Sequence, residues 1–181
     1  KDLDIIPSPI LDGTLDKFFL DKNLIPIVET MRGCPFQCTY CAWGDDWLRA
    51  SNRFSLERVL SEIQYIAEKF EKATIKFNGY LYLADSNFGM HKRDSEIADK
   101  IRECHDKYKW PRGMWATWAK NSNEKVIEIA SKIKPLLQAG VTIAYESLDD
   151  NTLKNVKRAN ISLEKFNKVR EYIKSKGFIK S

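Results

Sequence analysis

Runs rich in β-branched and aromatic residues alternate with runs of helical apolar period along most of this chain, and that rhythm restricts the fold more than any other feature. The apolar run Leu24 to Glu29, "LIPIVE", reads as a first strand whose Pro26 suggests an edge or an irregular start. A helix follows over "FSLERVLSEIQYIAEKF". Leu56, Val59, Leu60, Ile63, Ile66, Ala67 and Phe70 fall on one stripe, and Ser55 stands where a cap is needed. Thr74 to Asp85 is β-rich, with Asn78-Gly79 marking a bulge or turn and Tyr80 to Ala84 its firmest part; the strand is expected to run out into "DSNFGM". A second helix is predicted over Asp94 to Tyr108, and "GMWATWA" as a third strand. The third helix is expected from Asn121, which has capping-box spacing to Glu124, to Gly140, kinked or broken by Pro135. "VTIAYESL" reads as a fourth strand, and a last helix is capped by Ser162 and stopped by Gly177.

Strand-helix alternation of this kind calls for right-handed crossovers and a parallel sheet, so the fold class is α/β. In such folds ligands gather at the C-terminal strand ends, where the loop after the first strand, "ADSNF" and "YES" all fall. Residues 1–23, "IPSPI" followed by a short helical turn with Leu15, Phe18 and Phe19 available to dock, read as a linker or N-terminal extension, and 24–181 as the core domain. The start at Lys1 leads us to expect a segment of a longer protein. No apolar run approaches the ~20 residues of a membrane helix, and no signal-peptide order is present, so a cytoplasmic protein without membrane contact is the expectation. The formal net charge of +5 comes from acids and bases mixed along the chain, with no basic stripe of the kind that tracks nucleic acid.

Three of the four cysteines sit in "RGCPFQCTYCAWG", spaced C-x3-C-x2-C. Four chemistries compete for Cys34, Cys38 and Cys41. A disulfide framework leaves an odd thiol in a chain without secretory features. Structural zinc asks for a fourth protein ligand, and the candidates are poor: Cys104 lies on the apolar face of the second helix, while His91 and His105 lack paired spacing. A nucleophile needs one thiol and leaves two unexplained. An iron–sulfur cluster suits soft thiolates in a short loop, and three thiolates on four irons leave one iron without a protein ligand.

The motif resembles the signature of the radical S-adenosylmethionine (radical SAM) enzymes, C-x3-C-x-aromatic-C, with Tyr40 at the aromatic position. Its place after the first strand and the α/β order behind it agree with that family. The resemblance implies that Cys34, Cys38 and Cys41 hold a [4Fe-4S] cluster and that S-adenosylmethionine chelates the open iron. An electron then cleaves the sulfonium to a 5′-deoxyadenosyl radical, which takes hydrogen from a substrate whose identity the sequence does not reveal. It further implies an electron donor such as a flavodoxin or ferredoxin. Tyr40 would lie against the adenine through its backbone or ring, a role compatible with its also being a plain packing aromatic. Asp85 and Asn87 in "ADSNF" would meet the cosubstrate in place of the family's Gly-Gly-Glu-like stretch, with a turn cap as the equal alternative. "YESLDDNTLKNVKR" resembles the ribose- and carboxylate-binding stretch and nominates Glu146, Ser147 and Arg158, the last with an exposed helix cation as its alternative.

The family barrel has six β-α units; this chain supplies about four, a partial (β/α) barrel in which Phe178-Ile179 begins a fifth strand. The approach segment "IPSPILDGTLDKFF" is similar to the connector before the radical domain in members with an N-terminal cobalamin-binding domain, which implies cobalamin held by an upstream domain that these residues do not contain. Two other functions stand beside the leading one: a non-catalytic iron–sulfur or zinc module, and an RNA-modifying member of the same family. The second rests only on the basic balance and on Trp110, Trp115 and Trp118, which read more simply as packing residues, so nucleic acid is not the expected partner.

Overall fold

After a 3-10 helix at Asp16–Leu20 the chain enters its sheet at β1 (Ile27–Val28), and two residues later begins a second, smaller ladder. There β2 (Met31–Arg32) and β3 (Asn52–Arg53) pair antiparallel, Met31 opposite Arg53, so the cysteine loop is closed at its base. The computed structural model describes residues 2–46, 49–73, 78–120, 124–142 and 144–178.

Ser55 opens α1 (Leu56–Lys72), its Oγ accepting the Arg58 N–H at 3.2 Å, and Val59, Ile63, Ile66, Ala67 and Phe70 are buried on the stripe read from the sequence. β4 (Tyr80–Phe88) follows, then α2 (Asp94–Tyr108), β5 (Gly113–Trp118) and α3 (Glu124–Lys132). β1, β4 and β5 form one parallel sheet in that order, with Val28 opposite Leu83 and Leu81 opposite Met114. Parallel strands need covering on their faces. α1 packs on α2 and α2 on α3, and one core joins these helices to Val28, Leu81, Leu83 and Met114. Residues 2–23 belong to the same body: Leu3, Ile10 and Phe19, from the segment expected as a linker, are buried in that core. Asp149 caps α4 (Asp150–Asn155) by accepting the Thr152 N–H at 2.7 Å. α5 (Leu163–Ser175) starts on Ser162, ends before Gly177 at φ +68°, and meets α3 through Ile127, Val169 and Ile173. Among the described residues no helix is long and apolar enough to cross a membrane.

Three expectations need correction. β4 does not run out at Asp85 but continues to Phe88, because "ADSNF" finds partners inside the fold: Phe88 O accepts the Ala119 N–H at 2.9 Å, and Asp85 and Asn87 are both satisfied in place. The third helix stops at Lys132, eight residues short of Gly140; Pro135 lies in a separate 3-10 helix, Lys134–Leu136, as a ring without an N–H requires. The predicted fourth strand forms no ladder among its described residues. Leu137 makes the bridge to β5 at Met114, whose carbonyl accepts the Gln138 N–H at 3.1 Å, and Gly140 at φ +66° then turns the chain away. None of the described residues of 141–148 is buried, so that segment lacks the two covered faces that hold a parallel strand. The proposed cap at Asn121, the start of the second strand at 74–77 and the fifth strand at Ile179 lie outside the described residues.

Candidate functional site

The cysteine loop leaves the sheet through a fixed entrance. Asp85, on β4, is 3% exposed and accepts from Thr30 N at 2.7 Å, Thr30 Oγ1 at 2.5 Å and Met31 N at 3.1 Å, pinning the backbone between β1 and β2. Burial pushes its carboxyl up to about 6, against the pull of those three hydrogen bonds. Gly33 then takes φ +100°, a left-handed conformation that favours glycine, and its carbonyl accepts the Ser86 hydroxyl at 2.7 Å. Further on, Cys41 N donates to Cys38 O at 3.1 Å and Gly44 N to Cys41 O at 2.8 Å. A Cβ on Gly44 would lie 2.3 Å from the Cys38 carbonyl oxygen, so only glycine lets the loop fold back this closely. Thr39 N donates to Val156 O at 3.1 Å and ties the loop to the end of α4.

Two of the loop thiols are buried and already engaged. Cys34 Sγ accepts Asn87 Nδ2 at 3.2 Å, and Cys38 Sγ accepts Lys120 Nζ at 3.5 Å. Burial acts to raise the Cys38 thiol, but hydrogen bonds from Arg158, Lys120 and Tyr40 and the Lys120 charge outweigh it and hold the group below its ordinary range. The Tyr40 hydroxyl shifts the other way, to about 12, through partial loss of solvent and the nearby negative groups Cys38 and Glu146, against the attraction of Arg158. Tyr40 as a whole is 51% exposed, so its ring remains open to a ligand while its hydroxyl reaches Cys38. Cys41 is half-buried on the same loop. Cys104 is apart from all of this: fully buried on α2, its thiol pushed up to about 11 by burial, it behaves as the small apolar residue expected of it.

The third group gathers around Arg158, which follows α4. Arg158, with a side chain 2% exposed, donates from Nη2 to Ala144 O at 3.1 Å and from Nε to Asn160 Oδ1 at 3.2 Å, and lies 3.9 Å from Glu146 Oε2. Its reading as an exposed helix cation is therefore overturned. Asn160 Nδ2 in turn donates to Ser147 O at 3.0 Å, while the Ser147 hydroxyl accepts the Asp149 N–H in a local turn. Glu146 keeps a side chain 42% exposed beside Tyr40 and Arg158.

The structure thus brings Cys34, Cys38, Tyr40, Asn87, Glu146 and Arg158 into one network with Cys41 on the same loop, and sets Asp85 behind that loop, where its oxygens are taken up by the Thr30 and Met31 N–H groups and the Thr30 hydroxyl. The sequence reading missed Lys120, Ser86 and Asn160. Lys120 carried a usable signal, since it stands two residues past the C-terminal end of β5, where α/β ligands collect. Soft sulfur donors flanked by N–H groups and cations suit a thiolate-bound centre, because each deprotonated thiol adds a negative charge that Lys120 and Arg158 offset. A single zinc ion instead draws its sulfurs to about 2.3 Å from one point. Among the described residues no three His, Cys, Asp or Glu side chains converge in a way that would hold a metal ion.

The family model of the radical SAM superfamily matches residues 28–181. The chain is 33% identical over 171 residues to 2-(S-pantetheinyl)-carbapenam-3-carboxylate methyltransferase of Streptantibioticus cattleyicolor, and 32% identical over 171 residues to the cobalamin-dependent radical SAM methyltransferase TokK of Streptomyces tokunonensis. Each alignment takes in 91% of this chain and 24% of the relative, so the chain spans about a quarter of the length of the curated relatives it matches. The radical S-adenosylmethionine methyltransferase TsrM from Kitasatospora setae, solved with cobalamin and a [4Fe-4S] cluster, superposes with a TM-score of 0.62 at 15% identity over 84% of this chain and 27% of that one, a likeness of fold.

Proposed function

The chain belongs to the radical SAM superfamily, and from that premise we propose that it is the cluster-binding part of an enzyme that reductively cleaves S-adenosylmethionine. One observation supports this reading above the others: three cysteines of a single closed loop, two of them with sulfur atoms already accepting N–H groups from β4 and from just past the end of β5. Cys34, Cys38 and Cys41 would hold a [4Fe-4S] cluster. When bound, that group supplies the electron that breaks the sulfonium and yields a 5′-deoxyadenosyl radical for hydrogen abstraction.

The chain's own residues prepare the place. Asp85 and Gly33 aim the loop, Gly44 lets it close, and Lys120 and Arg158 offset the thiolate charge. Tyr40 offers its open ring face to the adenine, and Glu146 an exposed carboxylate to the ribose or amino group. The parallel sheet and its helices are the corresponding share of the family's (β/α) barrel, with 141–148 at the position of its fourth strand.

The relatives' names extend the proposal to a cobalamin-dependent methyltransferase whose cobalamin sits outside these residues; the family resemblance adds a flavodoxin- or ferredoxin-like electron donor. Neither alternative function gains support. Trp110 and Trp118 are buried, and Trp115 packs on Tyr80 with centroids 5.0 Å apart, as packing residues rather than an RNA platform. Anaerobic reconstitution with iron and sulfide tests the proposal: about four irons per chain are expected, with loss of the centre in Cys38→Ala. Uptake of zinc alone, or a centre unchanged in Cys38→Ala, would overturn it.

A further inference from the structure

A second use of polar groups is visible beside the thiols. Asn87 is fully buried, and its side-chain amide is oriented from both ends: Oδ1 accepts the backbone N–H of Lys120 at 3.4 Å, while Nδ2 donates to Cys34 Sγ at 3.2 Å and to Ser86 Oγ at 3.1 Å. The reversed amide would set its NH2 against the Lys120 N–H, donor against donor, so the network itself fixes which end meets the sulfur. The same backbone N–H that Asn87 anchors belongs to the residue whose ammonium reaches the second sulfur, Cys38 Sγ, at 3.5 Å. One buried amide therefore places a neutral donor on Cys34 and a cation on Cys38.

We propose that Asn87 and Lys120 form a brace across two thiolates that sets the reduction potential of the centre they hold, with Lys120 as the positioning residue whose charge is felt most. The inference rests on the cluster reading above. Reduction adds an electron to the centre. A cation against a ligating sulfur stabilises the reduced state more than the oxidised one, and hydrogen bonds to sulfur act in the same direction. Lys120 is the better probe of the two. Arg158 also reaches Cys38, but its guanidinium holds Ala144 and Asn160, so removing it disturbs the chain around it. The Lys120 ammonium, among the described residues, meets Cys38 and stands 5.5 Å over the Phe36 ring.

The test is an EPR-monitored redox titration of the reconstituted 181-residue chain as wild type, Lys120→Met, Lys120→Gln and Lys120→Arg, with iron and sulfide counted in each. Met and Gln are expected to lower the reduced-to-oxidised ratio at fixed potential about tenfold, about 59 mV more negative for a one-electron couple. Arg, which keeps the charge, is expected to return most of that loss. An intact centre with an unchanged potential in Met and Gln overturns the inference and leaves the cluster reading standing. Loss of the centre from both variants also overturns it, because Lys120 would then retain the loop rather than tune it. A wild-type chain without iron and sulfide overturns the cluster reading and this inference together.

Discussion

Replacing Asp85 with Asn removes one ionisation from a place that water does not reach. The Asp85 carboxylate is 3% exposed, and burial moves its pKa from 3.8 to about 6 despite three hydrogen bonds from Thr30 and Met31, with the negative charge of Asp94 adding to the rise. The folded chain therefore binds a proton at Asp85 over a range in which the unfolded chain has released it. Stability from this group is complete below about pH 4 and is lost as pH rises through about 6, because the folded state holds more protons across that window. A displacement of about two units at ~1.36 kcal/mol each makes the loss on the order of 3 kcal/mol by neutral pH. Asparagine keeps an oxygen for the Thr30 and Met31 amides and can donate to Thr30 Oγ1, so it preserves the clamp without the charge. Urea unfolding of both proteins from about pH 4 to about pH 7 should show the wild type losing on the order of 3 kcal/mol relative to Asp85→Asn. Parallel stability curves across that window would refute the argument.

Two further substitutions probe the loop and its support. Gly44→Ala forces a Cβ to within 2.3 Å of the Cys38 carbonyl oxygen, so the loop must move; a loss of about 1–3 kcal/mol and reduced iron uptake are expected, and unchanged melting and iron content would contradict the close approach. Arg158→Met deletes the donors to Ala144 O and Asn160 Oδ1 and should cost about 2 kcal/mol or more, with faster proteolysis within 144–148 as the readout; a cleavage rate equal to wild type would show that Arg158 does not hold that segment.

The sequence was most informative where a local rule met no tertiary competitor. Ser55, Ser162 and Gly177 bound their helices as capping chemistry dictates, and α2 follows its apolar stripe to the residue. It was least informative where polar residues enter the fold. "ADSNF" resembles a loop by composition, yet Asp85 and Asn87 occupy the same buried alternation as Leu81 and Leu83, their polarity satisfied by Thr30, Met31 and Cys34, which lie more than fifty residues away in the chain. Arg158 was hidden for the same reason: its partners become visible only when 144–147 folds across it. "VTIAYESL" has strand composition without the two covered faces that would lock it into the sheet. Of the site, the three cysteines were plain from their spacing, while Lys120 needed the register of β4 and β5, which sets the end of "GMWATWA" beside Asn87.

The central claim is that a centre held by Cys34, Cys38 and Cys41 keeps one iron free for S-adenosylmethionine. EPR of the anaerobically reconstituted and reduced chain, recorded with and without S-adenosylmethionine, addresses it directly. A reduced iron–sulfur signal whose g-values and shape change on adding the cosubstrate, and remain unchanged on adding methionine-free adenosine, is the predicted result. A signal indifferent to S-adenosylmethionine, or no iron–sulfur signal at all, would contradict the account.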